Sequence, residues 1–247
     1  MSDIALRFAQ VGKRYAGVPA LSHFSLEVKR GGFFGLVGEN GAGKTTLIKC
    51  LLDFCDIDGG AIDIFNTPHR ATAARARLAY LPERFNPPFY LTGRDFVRYM
   101  LELYRAPYDE DRVARLFSAL DLDRSALDRP ARAYSKGMTQ KLGLAACLLS
   151  GKDLYVLDEP AGGLDPKARA LLKGELKALH RAGHTVFITS HALADVAELC
   201  DHMAVLHAGR LRFAGPPGEL MSRYGAPDLE RAYLACIASE AVLAATP

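Results

Sequence analysis

The segment FFGLVGENGAGKT, from Phe33 to Thr45, carries the most specific structural signal in this chain. Its beginning, Phe33–Val37, is a continuous apolar run, and such a run predicts a strand that is buried on both faces. The residues from Gly38 to Thr45 match the pattern GxxxxGK[ST], in which a glycine-rich loop joins a strand to a helix. We therefore predict a phosphate-binding loop, followed by a helix from Lys44 to about Asp53.

The chemistry of this loop follows from its residue types. Glycines allow backbone N–H groups to converge on phosphate oxygens, and the positive end of the helix dipole adds to the attraction. Lys44 is expected to reach the β- and γ-phosphates of a nucleotide, and the Thr45 hydroxyl to bind Mg²⁺. The residues expected around the phosphates are Asn40, Gly41, Ala42, Gly43, Lys44, Thr45 and Thr46. The alternative is a glycine-rich turn that merely precedes a helix.

Outside the loop, the chain alternates between two patterns. Apolar or alternating runs predict strands over 4–11, 24–28, 33–37 and 61–65. From about 92 to 150 the apolar residues have helical spacing, which indicates a helical subdomain inserted into an α/β core. The alternation then resumes, with strands over 154–158, 184–189 and 203–207 and helices over 166–182, over 191–199 and from Asp228 onward.

Composition excludes several classes of protein. The 247 residues are 49% apolar and 24% charged, which rules out a disordered, collagen-like or disulfide-framework chain. The net charge of +3 is too small to indicate a nucleic-acid surface, so no nucleic-acid partner is expected. The cysteines lack metal-ligand spacing and are expected to be reduced and mostly buried. No apolar stretch reaches the ~20 residues of a membrane span, so we expect another chain to carry out any step within a membrane.

A second candidate site lies at the end of another predicted strand. The apolar run Leu154–Leu157 is followed by Asp158 and Glu159. In a doubly wound sheet, a strand that ends in this way places both carboxylates at the edge where the phosphate loop lies. Asp158 is expected to hold Mg²⁺, and Glu159 to polarise the attacking water in phosphoryl transfer. The alternative is a strand cap with a solvated acidic turn.

Further short motifs follow in a fixed order. Tyr134–Met138 reads YSKGM, Gly163–Asp165 reads GLD, and His191 comes directly after a predicted strand. Together with the phosphate loop and the Asp158–Glu159 pair, this order resembles the nucleotide-binding subunits of ABC transporters over nearly the whole chain. The resemblance implies an α/β fold: a P-loop NTPase core with a mixed sheet, an N-terminal antiparallel β-subdomain and an inserted α-helical subdomain. The implied boundaries are a core over 1–83 and 152–225, a helical subdomain over about 84–151 and a C-terminal helix over 226–247.

The resemblance also implies a function and its residues. It implies that ATP and Mg²⁺ bind, that hydrolysis depends on Lys44, Glu159 and His191, and that Thr45, Glu83 and Asp158 hold the metal. The other implied nucleotide contacts are Tyr15 on adenine, Ser135 and Gly137 on the γ-phosphate, and Asp165. The implied partners are a second copy, in an ATP-dependent homodimer, and an integral-membrane permease subunit. The implied location is the cytoplasmic face of the inner (plasma) membrane.

Ser135 also has an interpretation that rests on its own residue type. It precedes a helical run, so we expect its hydroxyl to cap that helix. A helix that begins with a serine and a nearby glycine is a second anion site. One chain with two such helix starts suggests a head-to-tail dimer, in which the Ser135 end of one copy closes on the nucleotide of the other. The alternative is an ordinary capped helix.

Several positions depart from the common form of the family. Glu83 stands where a glutamine is usual, Lys136 replaces a glycine, and Met138 replaces a glutamine. With these residues the chain resembles the drug- and polysaccharide-type exporter branch of the family. The same pattern also resembles the ATPase of a transporter for nitrous-oxide-reductase maturation, which remains an alternative. A soluble ABC protein of translation or DNA repair and a small-molecule P-loop kinase are further alternatives.

The segment Arg84–Leu91 is aromatic and rich in proline. A rigid aromatic loop at this place is expected to form a groove that receives a short helix of a membrane partner. The alternative is local packing of Phe85 and Phe89 against the inserted helices.

Overall fold

The computed structural model describes residues 3–244, and these form two compact units. The first unit joins the chain up to Ala76 to the chain from Thr185 onward, and the second unit runs from Arg77 to His184. The segment predicted as a helical subdomain, 84–151, lies inside the second unit. The last residues of the predicted C-terminal helix, 245–247, lie outside the described residues.

The strands and helices predicted from the sequence are present, and the first two strands extend beyond their predicted bounds of 4–11 and 24–28. The strands are β1 (Ile4–Tyr15), β2 (Val18–Lys29), β3 (Phe33–Val37), β4 (Gly59–Ile64), β5 (Thr67–Pro68), β6 (Leu78–Leu81), β7 (Leu154–Asp158), β8 (Thr185–Ser190), β9 (His202–His207) and β10 (Arg210–Gly215). The helices are α1 (Lys44–Leu51), α2 (Thr72–Arg75), α3 (Gly93–Tyr104), α4 (Glu110–Ala119), α5 (Lys136–Leu149), α6 (Pro166–Arg181), α7 (Leu193–Leu199), α8 (Pro217–Tyr224) and α9 (Leu229–Ala244). Within residues 3–244, none of the helices has the length and apolar character needed to cross a membrane.

An antiparallel sheet forms the N-terminal part of the first unit, in the order β2-β1-β4-β5. β1 and β2 are joined by a two-residue turn in which Ala16 has φ 47° and Gly17 has φ 83°. Two successive positive φ values are typical of the type I′ turn, whose twist matches that of a hairpin. The predicted antiparallel β-subdomain is confirmed.

The first unit also holds strands of a mixed sheet. β3 pairs in parallel with β8 on one side and with β9 on the other, and β9 pairs antiparallel with β10. Every residue of β3 and β8 is buried, because parallel strands inside an α/β core are covered on both faces. This burial explains why β3 lacks polar side chains and why β8 has an apolar centre, Val186–Ile188, and the predicted mixed sheet is confirmed.

The second unit is built around α5. This helix is buried from Gln140 to Leu149 and packs against α3, α4 and β6. β6 pairs in parallel with β7, with Leu81 opposite Leu157. α3 and α4 are amphipathic, and each begins at a side chain that caps it, Thr92 for α3 and Asp109 for α4. Helical spacing in the sequence thus corresponds to helices that share one core.

Helix α8 was not predicted from the sequence. It begins with Pro217 directly after its N-cap, and it ends before Gly225, which has φ 58°. A proline in the first turn and a glycine just after the last turn are common helix boundaries. The signals were present in the sequence, but the helix is too short to display a clear apolar period. The helix predicted from Lys44 to about Asp53 ends at Leu51.

Gly35 lies in the middle of β3, where a side chain has no room. A Cβ atom at this position would lie 2.9 Å from Cys200 Sγ and 3.0 Å from Val196 Cγ1. We predict that Gly35→Ala lowers the free energy of unfolding by ~1–3 kcal/mol, because a packed core yields little to an added methyl group. Urea unfolding followed by circular dichroism measures the change.

Gly174→Ala is the matched control for this prediction. Gly174 is an exposed residue of α6, and a Cβ atom there would have no neighbour within 4 Å. The same substitution should raise the free energy of unfolding by ~0.5–1 kcal/mol at this position, because alanine favours the helix. A Gly35→Ala variant as stable as the parent protein would contradict the packing described for β3.

Candidate functional site

The phosphate loop connects β3 to α1, in the strand–loop–helix context that its sequence requires. A Cβ atom at Gly38 would lie 2.4 Å from the carbonyl oxygen of Leu206, and one at Gly43 would lie 2.7 Å from that of Ala20. Gly43 also has φ 111°, a value that other residues rarely adopt. Gly41, by contrast, has open space where a Cβ atom would be. The loop is therefore held closely against the backbones of β9 and β2 and is open at its tip.

Lys44 turns back over this loop. Its side chain is only 7% exposed, and its ammonium group donates hydrogen bonds to the carbonyl oxygens of Gly38 and Glu39. The N-cap of α1 is Gly43, a residue with no side chain, whereas α3, α4, α5 and α6 begin at a capping side chain. The ammonium group and the amides at the start of α1 thus form one positive centre that suits an anion.

His191 leaves the sheet beside the phosphate loop. In the parallel pair of β3 and β8, Val37 lies opposite Ser190, so Gly38 and His191 are the residues that follow at the same edge. His191 is exposed, and Ser190 Oγ accepts a hydrogen bond of 3.0 Å from the backbone N–H of Ala192. The structure therefore brings this predicted residue and the phosphate loop to one edge of the first unit.

Tyr15, at the end of β1, is tied to the helix of the phosphate loop. Its hydroxyl donates a hydrogen bond of 3.6 Å to Cys55 Sγ and also interacts with the Thr46 side chain on α1. The hydrogen bond to Cys55 and partial burial raise the pKa of the Tyr15 phenol. The side chain is nevertheless 46% exposed, and Lys13 Nζ lies 5.4 Å from the ring centroid. An exposed ring held by its hydroxyl is suited to stack on a planar group.

Two candidate metal ligands lie near each other in the second unit. Glu83 follows the end of β6, Asp158 is the last residue of β7, and these strands are parallel neighbours. Asp158 is only 1% exposed, whereas Glu83 is exposed. Burial and the negative charges of Asp158 and Glu83 raise the pKa of Tyr80 to about 12. Both carboxylates are therefore close enough to Tyr80 to affect its pKa, and carboxylate oxygens are ligands that Mg²⁺ prefers.

Glu159 has an unusual backbone conformation. Its φ is 47°, in the left-handed region that glutamate rarely occupies, and its carbonyl oxygen accepts a hydrogen bond of 2.9 Å from the Gly162 N–H. This conformation turns the chain sharply at the end of β7. Strain of this kind costs ~1–2 kcal/mol, and it is typical of functional positions, where the surrounding structure fixes the residue.

The start of α5 packs against the loop that follows β7. Ser135 caps α5 as predicted, because its Oγ accepts a hydrogen bond of 3.2 Å from the Met138 N–H. A Cβ atom on Gly137 would lie 3.5 Å from the carbonyl oxygen of Gly163. The buried Gln140 donates from Nε2 to the carbonyl oxygen of Pro160, at 3.1 Å. The second unit thus joins the YSKGM motif, the Asp158–Glu159 pair and the GLD motif.

Asp165 serves as the N-cap of α6. Its Oδ1 accepts a hydrogen bond of 2.9 Å from the Ala168 N–H, and Pro166 occupies the first helical position. This cap fixes where the GLD motif ends and the helix begins. Asp165 is exposed, so its side chain can contact a ligand while it caps α6.

The structure divides the predicted site residues between the two units. The first unit carries Tyr15, Asn40, Gly41, Ala42, Gly43, Lys44, Thr45, Thr46 and His191. The second carries Glu83, Ser135, Gly137, Asp158, Glu159 and Asp165. The sequence did not predict that Lys136 packs on the GLD motif, where a Cβ atom on Gly163 would lie 3.1 Å from Lys136 Cε. The contact of Tyr15 with a cysteine was also missed, since nothing in the spacing of Cys55 indicates it.

Comparison with known proteins extends this description. Residues 21–162 match the family model described as ABC transporter. An uncharacterized ABC transporter ATP-binding protein of Synechocystis is 38% identical over 210 residues, covering 83% of this chain and 58% of the relative. The Nod factor export ATP-binding protein I of Cupriavidus metallidurans is 36% identical over 234 residues, covering 92% of this chain and 76% of the relative. The chain thus spans little more than half the length of the cyanobacterial relative.

A solved structure described as the ATP binding subunit of an ABC transporter has the same fold. It superimposes with a TM-score of 0.86 at 27% identity, covering 94% of this chain and 99% of its own. The predicted fold and family are confirmed by these matches. From the phosphate loop, the order of its motifs and these comparisons together, we conclude that this chain belongs to the ABC transporter family, as a member with the ABC ATPase fold.

Proposed function

We propose that this chain is the ATP-binding and ATP-hydrolysing subunit of a transporter, and that it powers export through a separate membrane subunit. The observation that carries the proposal is the phosphate loop, where the buried ammonium group of Lys44 and the start of α1 form one positive centre. Family membership supports it, because both relatives described above are named as ATP-binding proteins.

In this proposal the triphosphate lies in the loop from Asn40 to Thr46, and the adenine stacks on Tyr15. Lys44 exchanges its hydrogen bonds with the carbonyl oxygens of Gly38 and Glu39 for bonds to the β- and γ-phosphates. The exchange is favourable, because a hydrogen bond between two charged groups is stronger than one to a neutral carbonyl. The phosphates also accept from the amides at the start of α1.

Thr45, Glu83 and Asp158 are the residues that we propose to hold Mg²⁺. They offer one hydroxyl and two carboxylates, which are hard oxygen donors. When bound, the ion neutralises charge on the β- and γ-phosphates. Glu83 brings a negative charge where the family usually has a neutral glutamine. We therefore propose that it holds the ion more strongly, and that it is a weaker sensor of the anionic γ-phosphate.

Hydrolysis is proposed to depend on Glu159 and His191. Glu159 orients the attacking water and accepts its proton, while His191 donates a hydrogen bond to the γ-phosphate. The products are ADP and inorganic phosphate. The place of Glu159 in the chain supports this role, because it directly follows Asp158, the proposed metal ligand at the end of β7.

A second copy completes the site in this proposal. Ser135 and Gly137 of one copy contact the γ-phosphate held by the other, so that ATP joins two copies into a homodimer, and Asp165 lies in the motif beside this contact. The Ser135 hydroxyl accepts a bond from Met138, and a hydroxyl that accepts still has a proton to donate. Loss of the γ-phosphate removes the shared contact and releases the dimer.

An exposed aromatic pair marks the proposed contact with the membrane partner. Phe85 packs on Phe96 of α3, with 5.4 Å between the ring centroids. For Phe85, therefore, the alternative of local packing against the inserted helices is correct. Phe89 and Tyr90, however, are 66% and 69% exposed and stack edge to face. We propose that this pair receives a short helix of an integral-membrane permease. The chain would then lie at the cytoplasmic face of the inner (plasma) membrane.

Export is the direction that we propose for the transport. Glu83, Lys136 and Met138 follow the exporter-type pattern, and the C. metallidurans relative is named for Nod factor export. The relatives described above are not named for metalloenzyme maturation, translation or DNA repair, so we do not propose those alternatives. The transported compound is set by the membrane partner.

The first prediction of this proposal concerns Glu159→Gln. The variant should hydrolyse ATP about a hundredfold more slowly or worse, because it cannot accept the proton of the attacking water. It should also elute as a dimer on gel filtration in MgATP and as a monomer in MgADP. Steady-state phosphate release and the elution volume are the two measurements.

Two controls accompany Glu159→Gln. Lys44→Ala should remain a monomer in MgATP, because it lacks the main contact with the γ-phosphate. Glu102→Gln makes the same change on the exposed side of α3 and should behave as the parent protein. A Glu159→Gln variant that stays monomeric at saturating MgATP would rule out the nucleotide-bridged dimer.

The second prediction concerns the exposed aromatic pair. The double variant Phe89→Ala, Tyr90→Ala should lose co-purification with an integral-membrane protein from detergent-solubilised membranes of its own cells. It should still hydrolyse ATP, because the change leaves the phosphate loop untouched. Leu234→Ala removes another exposed apolar side chain, on α9, and should leave the co-purification unchanged. Equal recovery of the membrane protein with both variants would argue against this docking surface.

A further inference from the structure

Two cysteine thiols lie in contact beside the phosphate loop. Cys50 Sγ, on the last turn of α1, is 3.6 Å from Cys55 Sγ in the segment that follows. Both cysteines are free thiols; Cys50 is fully buried, whereas Cys55 is partly exposed. Two sulfur atoms at this distance need to approach by only ~1.5 Å to form a covalent bond.

The end of α1 is what creates this thiol pair. The Phe54 N–H donates to the carbonyl oxygen of Lys49 and the Asp53 N–H to that of Cys50, at 2.8 and 3.1 Å, which is the hydrogen-bond pattern of a Schellman cap. Asp53 has φ 61°, and this left-handed residue turns the chain back across the last helical turn. Arg75 Nη1 holds the Asp53 carboxylate at 3.1 Å. The fold itself therefore positions Cys55 against Cys50.

The thiol pair is connected to the proposed nucleotide site by one hydrogen bond. Tyr15, the proposed adenine contact, donates its hydroxyl proton to Cys55 Sγ. The same phenol interacts with Thr46, which belongs to the phosphate loop region. A displacement of Cys55 Sγ therefore weakens or breaks the hydrogen bond that helps to hold the Tyr15 ring, and it leaves the phosphate loop itself unchanged.

We propose that Cys50 and Cys55 form a reversible regulatory disulfide, produced by a peroxide, that weakens the binding of ATP. The proposal rests on the function proposed above for its effect on ATP, but the formation of the disulfide does not depend on that function. Disulfides that form in reducing compartments are usually transient and regulatory, which agrees with two free thiols held in contact.

The chemistry proceeds in two steps. The thiolate of Cys55 attacks one oxygen of the peroxide, the O–O bond breaks, and Cys55 becomes a sulfenic acid as one water leaves. The Cys50 sulfur then attacks the Cys55 sulfur, the S–O bond breaks, and a second water leaves. Two thiols lose two electrons in total, and the peroxide gains them. Cys55 reacts first because it is the accessible thiol, whereas burial raises the pKa of Cys50 to about 12.

The disulfide is expected to loosen the attachment of Tyr15. The distance between the two sulfur atoms shortens to ~2.05 Å on bond formation, which draws Cys55 Sγ toward Cys50 and away from the Tyr15 hydroxyl that donates to it. The Tyr15 hydroxyl then loses its hydrogen bond to Cys55 and keeps only its interaction with Thr46, so the ring is held less firmly for stacking. Loss of one such bond corresponds to about a fivefold weaker affinity for ATP.

Peptide mass mapping tests the formation of the disulfide in the full chain. Trypsin cleavage after Lys49 and Arg70 yields one peptide that contains both cysteines. After treatment with hydrogen peroxide this peptide should lose two hydrogens and resist alkylation, and dithiothreitol should reverse both effects. The peptide that holds the buried Cys147 is an internal control and should be unchanged. A Cys50–Cys55 peptide that alkylates fully after peroxide treatment would overturn the proposal.

Single-cysteine variants test the order of the two steps. Cys50→Ala should accumulate a sulfenic acid at Cys55 that reacts with dimedone, because its partner thiol is missing. Cys55→Ala should leave Cys50 unmodified at the same peroxide concentration, because that thiol is buried. Dimedone labelling of Cys50 in place of Cys55 would overturn the assignment of the reactive thiol.

Titration with a fluorescent ATP analogue tests the effect on nucleotide binding. The oxidised parent protein should bind about fivefold more weakly than the reduced one, and Cys55→Ala, in which Cys50 stays unmodified, should bind equally before and after peroxide treatment. Tyr15→Phe should still form the disulfide, yet its affinity should no longer depend on oxidation. A disulfide that leaves the affinity of the parent protein unchanged would overturn the regulatory role. If the reduced parent protein fails to bind the analogue, the proposed function is wrong, whatever the mass map gives.

Discussion

The parallel pairing of β3 with β8 and β9 is the constraint on which the first unit depends. Its register places Val37 opposite Ser190 and Val205. The phosphate loop and His191 consequently leave the sheet side by side, and Gly38 meets the carbonyl oxygen of Leu206 at a distance that excludes a side chain. A slip by one residue would move each of these groups, so the packing of one buried strand fixes the chemistry at its end.

In the second unit, parallel strand pairing brings two carboxylates together. β6 and β7 run in parallel, so Glu83 and Asp158 lie at neighbouring strand ends, and both charges act on Tyr80. The loop after β7 then packs on the start of α5 through Gln140. In this way the capped helix and the acidic strand end, which are distant in sequence, become one piece of structure.

The sequence predicted what depends on local patterns. The buried strands, the strand–loop–helix context of Lys44 and the capping role of Ser135 all follow from residue types within a few positions of one another. Apart from the short helix α8, the features that the sequence did not predict depend on distant partners. Cys55 lies beside Cys50 only because Asp53 adopts a left-handed conformation held by Arg75, and Lys136 packs on Gly163 only because the start of α5 meets the loop after β7. Such relations are created by the fold and have no signature in the spacing of the residues.

The left-handed backbone at Glu159 has a consequence for engineering. Glycine adopts φ values near 47° without strain, so replacing Glu159 with glycine removes a local penalty from the folded state. A screen that rewards only heat resistance would therefore favour variants at this position, and each of them would lack the carboxylate. If Glu159 has the catalytic role proposed above, stability and turnover are in conflict at this residue, and a library built for stability should leave Glu159 out.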